Sequence, residues 1–260
     1  MNDGLVEIDW AGRRVAIEHA WVGAASARPT IVFLHEGLGS VSMWRDFPQR
    51  VCAAVGCRGL VYSRPGYGRS TPRPAGERWR SDFMHRQAFE LLPALLHALG
   101  LAEDRILLLG HSDGGSIALL HAARFGVDGA VVMAPHLFVE DLSVRSIEAA
   151  RVAYETTDLR SRLARHHADP DSAFRGWNDI WLDPAFRTWN IAEELGSITC
   201  PLLAIQGLDD EYGTMAQIDA IAERVPGTRL LKLERCGHSP HRDQPDQVIA
   251  AVRDFVAALG

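Results

Sequence analysis

Ser112 is the residue of this chain best placed for covalent chemistry. It is the centre of Gly110-His111-Ser112-Asp113-Gly114, which follows the apolar run 106–109 and precedes the helical pattern 115–120. Gly-x-Ser-x-Gly between a strand and a helix demands a turn so tight that the flanking positions must be small and the serine backbone strained. That strain lifts the hydroxyl above the sheet and aims the Asp113 N–H at a developing oxyanion. A serine hydroxyl is a weak nucleophile at neutral pH. It needs a base within hydrogen-bond reach, and the base needs an acid to orient it.

Eleven histidines compete for the role of base. His238, in Cys236-Gly237-His238-Ser239-Pro240, lies between the last strand pattern and the last helical one, where a loop can reach across to the serine. His241 is its main rival. His111 adjoins the serine, but its side chain is expected to point away from the hydroxyl. His35 ends a buried strand and reads as structural. His85, His97, His121, His166 and His167 fall in helical or inserted segments and carry no chemistry in this reading. The acid is expected between serine and histidine in the chain, and Gln206-Gly207-Leu208-Asp209-Asp210-Glu211 supplies it. Asp210 is chosen, with Asp209 as the rival. The second oxyanion donor is sought in the loop His35-Glu36-Gly37-Leu38-Gly39-Ser40: the Gly37 N–H, with the Leu38 N–H as alternative.

These loops need elements to hold them. Two alternating segments, 5–10 and 14–21, are separated by Ala11-Gly12-Arg13 and predict a hairpin. Strands are then predicted over 30–35, 59–63, 105–110, 127–133, 201–206 and 229–233. Helices are predicted over 44–55, 81–99 (with Ser81 as cap), 114–124, 215–225 and 245–259. Strand–helix alternation implies an α/β fold, a mostly parallel eight-stranded sheet with helices on both faces, which binds ligands beyond the carboxyl ends of its strands. The rhythm breaks over 135–198, after the sixth strand, where helical periodicity carries many large side chains, among them His136, Phe138, Tyr154, Phe174, Trp177, Trp181, Phe186 and Trp189. Residues 1–134 and 199–260 are thus expected to form the core and 135–198 a helical cap. Most of its aromatics would build its own core, and a few would face a substrate.

Composition narrows the classes. The chain has 260 residues, 47% hydrophobic and 23% charged, which fits one large domain with an insertion. A net charge of −6 with no basic stripe argues against a nucleic-acid partner. No apolar run approaches membrane-spanning length, and no signal peptide is read at the start. Cys52, Cys57, Cys200 and Cys236 lack metal-ligand spacing and read as reduced thiols of a cytoplasmic protein, Cys236 in a packing role. No metal or cofactor is expected, and a monomer or homodimer is.

With its motifs in the order Ser…Asp…His, the chain resembles the α/β-hydrolase superfamily over essentially its whole length. Within it, it resembles small capped esterases, the valacyclovir-hydrolase-like and MenH-like proteins. Tyr62–Ser70 resembles a (D/S)-x-x-G-x-G-x-S stretch of that group and reads as a structural loop beside the site. Two departures stand out. His35 is followed by Glu36 where His-Gly is common, which brings a carboxylate near the site. Asp113 follows the serine where many relatives carry Met or Gln. The Ser-Asp-Gly-Gly elbow is shared with valacyclovir-hydrolase-like enzymes, and the resemblance implies that this acid recognises the amino group of aminoacyl esters. The alternative for Asp113 is a helix cap or a partner for an arginine.

The expected function is hydrolysis of a small carboxylic ester by Ser112, His238 and Asp210, with Gly37 and Asp113 N–H groups as oxyanion donors. Glu36, Leu38, His136, Trp177 and Trp181 are the expected substrate contacts. A lactone, acyl thioester or aminoacyl ester would use the same machinery, and a MenH-like elimination would use the triad as a base only. The reading from another class is a ligand receptor that keeps the triad for sensing.

Overall fold

A computed structural model describes residues 2–24 and 29–259. Positions 1, 25–28 and 260 of the expected core lie outside the described residues. Eight strands form one sheet: β1 Asn2–Trp10, β2 Arg13–Val22, β3 Thr30–Leu34, β4 Gly59–Tyr62, β5 Ile106–His111, β6 Gly129–Met133, β7 Leu202–Gly207 and β8 Arg229–Leu233. Their order is β1-β2-β4-β3-β5-β6-β7-β8. β1 pairs with β2, and β2 with β4, antiparallel. All other pairings are parallel. The hairpin turn is the two residues Ala11 and Gly12, both at positive φ (54° and 73°), the conformation whose twist suits a two-residue hairpin.

The central strands are buried on both faces, so their sequences are nearly unbroken apolar runs. Alternate residues divide between two cores. Ile31, Phe33, Leu107, Leu109, Val131, Met133, Leu203 and Ile205 face the helices Phe47–Val55 and Pro245–Ala257. Val32, Leu34, Leu108, Ala130, Val132, Leu202 and Ala204 face the opposite layer. There they meet helical residues of 83–98, 113–124 and 216–224. Each such Val, Leu, Ile, Phe or Met side chain, fully buried, stabilises the fold by about 1.5–3 kcal/mol. Between β6 and β7 the chain forms helices Asp141–Thr156, Leu159–Leu163 and Pro170–Trp181 with two 3-10 turns, Pro184–Thr188 and Ala192–Ser197. Its Ile147, Tyr154, Phe174, Trp177, Ile180 and Trp181 join the second core.

Two expected helices change shape. The predicted helix over 81–99 runs over 83–98, so Ser81 is not its cap; Asp82 precedes its first residue and makes no side-chain cap bond. A π-helical turn over Gln87–Leu91 interrupts it just before Leu92-Pro93. Pro93 lacks an N–H and its ring crowds the preceding turn, so the regular ladder cannot pass. The predicted helix over 44–55 is a 3-10 turn, Val41–Trp44, then a helix from Phe47, with Arg45 left-handed (φ 55°) at the break. The short helix Pro240–Asp243 was not foreseen. Among the described residues no helix is long and apolar enough to cross a membrane.

Candidate active site

The chain steps from β3 to β4 on one side, then to β5 on the other. The carboxyl ends of β3 and β5 therefore lie side by side, with Leu34 opposite Gly110. This reversal of strand order is where open α/β sheets hold ligands. Ser112 sits directly beyond β5 with φ 53° and ψ −122°, a backbone conformation that costs a non-glycine residue on the order of 1–3 kcal/mol. It is held there by its N–H on the Met133 carbonyl (2.9 Å) and by its own carbonyl accepting from Gly115 (2.8 Å) and Ser116 (3.1 Å). The flanking glycines are sterically required. A Cβ at Gly110 would overlap the Gly114 carbonyl, and one at Gly114 would overlap the Leu34 carbonyl.

Asp210, beyond β7, and His238, beyond β8, converge on this serine. The Ser112 Oγ and His238 Nε2 are 2.9 Å apart, and His238 Nδ1 and Asp210 Oδ1 are 2.8 Å apart. A carboxylate only accepts, so Nδ1 carries the proton and Nε2 is the acceptor facing the hydroxyl. Asp210 also accepts from the Tyr212 N–H (2.8 Å), the Gly213 N–H (3.2 Å) and the Gln206 amide (3.1 Å). Burial pushes its carboxyl pKa up, but the His238 hydrogen bond and charge and the Tyr212 N–H outweigh that, and the pKa is lowered. The rivals are elsewhere. Asp209 is exposed. His241 is buried in a ring cluster with Trp44 and His111. His111 does point away from the hydroxyl: its Nε2 donates to the His238 carbonyl at 2.6 Å, and its Nδ1 faces Glu36 Oε2 at 3.6 Å.

His35 is buried and structural. Its Nε2 accepts from the Arg64 N–H (3.0 Å) and its Nδ1 donates to the Glu36 carbonyl (2.7 Å). The Glu36 carbonyl also accepts from Gly39 N–H (3.1 Å) and the Arg64 guanidinium (2.8 Å), closing a turn that carries Gly37 and Leu38. Among the described residues nothing accepts from the Gly37 or Leu38 N–H. The Asp113 N–H begins a helix and has no intrahelical acceptor. Burial pushes the Glu36 carboxyl up, but His111 beside it and then Arg242, 3.7 Å away, hold its pKa well below the usual range.

A cavity of about 170 Å³ opens onto Ser112. All five expected substrate contacts, Glu36, Leu38, His136, Trp177 and Trp181, line it, as do Asp113 and His111. Trp177 lies so close over Gly37 that a Cβ there would strike its indole. His136 packs edge-on against Trp181 and is pushed down to about 3 by burial, then by the neighbouring His238. Sequence reasoning missed Tyr212, Ile147 and Ser239, which also line the cavity. Tyr212 stands 4.7 Å from the His238 ring, and its place two residues after Asp210 was the available signal.

Asp113 is 1% exposed. Its Oδ1 accepts from the Trp181 indole N–H (3.1 Å), and its Oδ2 lies 3.8 Å from the Arg64 guanidinium. Burial raises its pKa, opposed by Arg64 and the Trp181 bond. The carboxylate does not cap its helix; it pairs with an arginine, the second of the two alternatives for it.

This arrangement belongs with a known lineage. Residues 31–251 match the profile of the Alpha/beta hydrolase family. The chain is a member of that family. It is 25% identical over 257 residues to a 2-hydroxy-6-oxononadienedioate/2-hydroxy-6-oxononatrienedioate hydrolase of Dechloromonas aromatica, spanning 87% of this chain and 86% of that protein. It is 25% identical over 211 residues to the serine hydrolase BPHL of Homo sapiens, spanning 76% and 68%. A solved thermophilic esterase from Thermogutta terrifontis superposes with a TM-score of 0.74 at 17% identity, covering 100% of this chain and 99% of that one, a likeness of fold. This family member is thus an enzyme of the hydrolase class.

Proposed function

We propose that this hydrolase cleaves small, uncharged carboxylic esters through an acyl-enzyme. The observation that carries the reading is the unbroken relay Asp210–His238–Ser112, 2.8 and 2.9 Å, ending at the cavity. Ser112 Oγ attacks the ester carbonyl carbon while His238 Nε2 takes its proton, and Asp210 fixes the His238 tautomer and stabilises the imidazolium. The Gly37 and Asp113 N–H groups receive the oxyanion. As the tetrahedral adduct collapses, the bond to the alcohol oxygen breaks and His238 returns the proton to that oxygen. Water then attacks the acyl-enzyme, giving its proton to His238, and the carboxylic acid leaves as Ser112 regains its hydrogen.

Two features support the substrate class. A cavity of about 170 Å³ is smaller than the roughly 300–1,000 Å³ typical of drug-sized ligands, so it suits a short acyl group. Its two carboxylates, Glu36 and Asp113, face Arg242 and Arg64, and no lysine or arginine lines it among the described residues, so it offers an anionic substrate no direct cation. The Asp113 carboxylate is turned to Arg64, which weighs against its serving as an amine receptor.

A fluorophosphonate probe is expected to label the wild type and not Ser112→Ala. Ser112→Ala and His238→Ala should each lose on the order of 10³-fold or more in p-nitrophenyl acetate turnover, because the triad acts as a unit. An unlabelled wild type sinks this reading. Labelling with one slow hit and retained product indicates a receptor instead. A panel of esters, lactones, acyl thioesters and aminoacyl esters compared by kcat/KM then separates the substrate classes.

A further inference from the structure

We infer that His167, a residue of the helical insertion, is a positioning residue for the oxyanion hole. It locks the Gly37–Leu38 segment in its receptive geometry, so the hole is complete only while the insertion is seated on the sheet. This rests on the reading of Gly37 as an oxyanion donor. His167 is 4% exposed, and both of its ring nitrogens are engaged. The Gly68 N–H meets Nδ1 at 3.0 Å, and Nε2 meets the Leu38 carbonyl at 3.0 Å. The amide can only donate, so Nδ1 holds the lone pair and Nε2 the proton. The neutral imidazole thereby links two loops that leave different strands. The Ala168 N–H returns to the Gly68 carbonyl at 2.8 Å and doubles the link.

The bond matters because of what else holds this loop. The Glu36 carbonyl is anchored three times, by Gly39, His35 and Arg64. Among the described residues the Leu38 backbone makes no other hydrogen bond than the one to His167. Leu38 is thus fixed from the insertion and Glu36 from the sheet, with the Gly37 N–H between the two anchors. The other donor residue is tied to the same insertion through the Trp181 indole on the Asp113 carboxylate. Burial holds the His167 pKa down to about 4, which keeps the ring neutral and both bonds intact near neutral pH.

His167 does not line the reaction cavity; it faces a separate groove of about 610 Å³ bounded by Ser42, Arg69 and Arg165. Replacing it removes no side chain that lines the reaction cavity. The proposal therefore predicts a loss in the chemical step and not in ground-state binding.

Three measurements on the full chain test this with His167→Ala and His167→Gln, whose amide offers both an acceptor and a donor. For His167→Ala, kcat on p-nitrophenyl acetate should fall ~10–100-fold with KM within about twofold, part of the cost of losing one oxyanion donor. Affinity for a trifluoromethyl ketone, which forms an oxyanion on the serine, should fall by the same factor as kcat/KM. Hydrogen exchange at the Gly39 N–H, which is bonded to the Glu36 carbonyl, should accelerate by about tenfold or more while the Leu208 and Asp209 amides stay protected. His167→Gln should recover most of each effect. Unchanged exchange at the Gly39 N–H, or a full kcat per fluorophosphonate-labelled site, overturns the proposal. If the wild type turns over no ester, the hydrolase reading fails, while the exchange comparison still decides whether His167 holds the loop. If the alanine variant does not fold, the glutamine variant is measured alone with an added His167→Asn. Exchange and kcat must then change together, and a change in one without the other overturns the proposal.

Discussion

Asp113 lines the cavity, yet its carboxylate is committed to Arg64 and to the Trp181 indole, all three buried. Asp113→Asn keeps an acceptor for the indole but leaves the Arg64 guanidinium without its counter-charge. Removing one partner of a buried ion pair costs on the order of 3 kcal/mol, so the variant should unfold at lower urea than the wild type. Its kcat/KM for an alanine ester and for a simple acetate ester should fall by the same factor. A selective loss on the aminoacyl ester would restore the amine-recognition role that the resemblance implied. At this scale the chain was legible where chemistry dictates residue type and order. Ser112, Asp210 and His238 come together as their motifs led one to expect. Arg64 and His167 were not legible, because their meaning lies in partners far along the chain. His167 meets Leu38 across 129 positions and Gly68 across 99, and no local pattern announces either bond.

The elements were legible to the extent that burial leaves a pattern in the sequence. The strands β3 to β7 were recognised, with ends shifted by a residue or two, because two cores bury both faces of the sheet and leave unbroken apolar runs. The misreadings arose where backbone rules override the apolar pattern, at Pro93 and at the left-handed Arg45. The strand–turn–helix element at Ser112 makes a prediction of its own. Its serine has φ 53°, which a glycine adopts without a Cβ penalty and an alanine does not. Ser112→Gly should therefore be more stable than Ser112→Ala by about 1 kcal/mol, the relieved strain exceeding the extra freedom glycine gains on unfolding. Urea titration of the two inactive variants measures this directly, and equal midpoints would mean that the turn stores no strain.

At the scale of the whole molecule, buried histidines set the response to acid. His35, His121, His136, His167 and His241 all have pKa values lowered by burial, to about 3 for His136 and about 4 for His167. Unfolded, each titrates near 6.5, so below that pH the unfolded chain binds protons that the native chain refuses. Their stabilisation is complete above about pH 6.5 and is lost progressively as pH falls toward each folded value, at roughly 1.4 kcal/mol per histidine per pH unit. Glu36 and Asp210, both lowered, extend the loss into the carboxylate range. Tm should therefore drop steeply between pH 7 and 5. A flat profile there would show that these rings accept protons in the native state.

The insertion between β6 and β7 shares its apolar side chains with the layer of helices over 83–98 and 113–124. It is consequently no interchangeable cassette. Exchanging it for a foreign segment would strip the sheet of part of its own interior, and deleting it is expected to lower stability and not merely to open the site. Redesign of substrate scope has to proceed by point changes at wall positions that the insertion does not contribute, such as Tyr212 and Ser239.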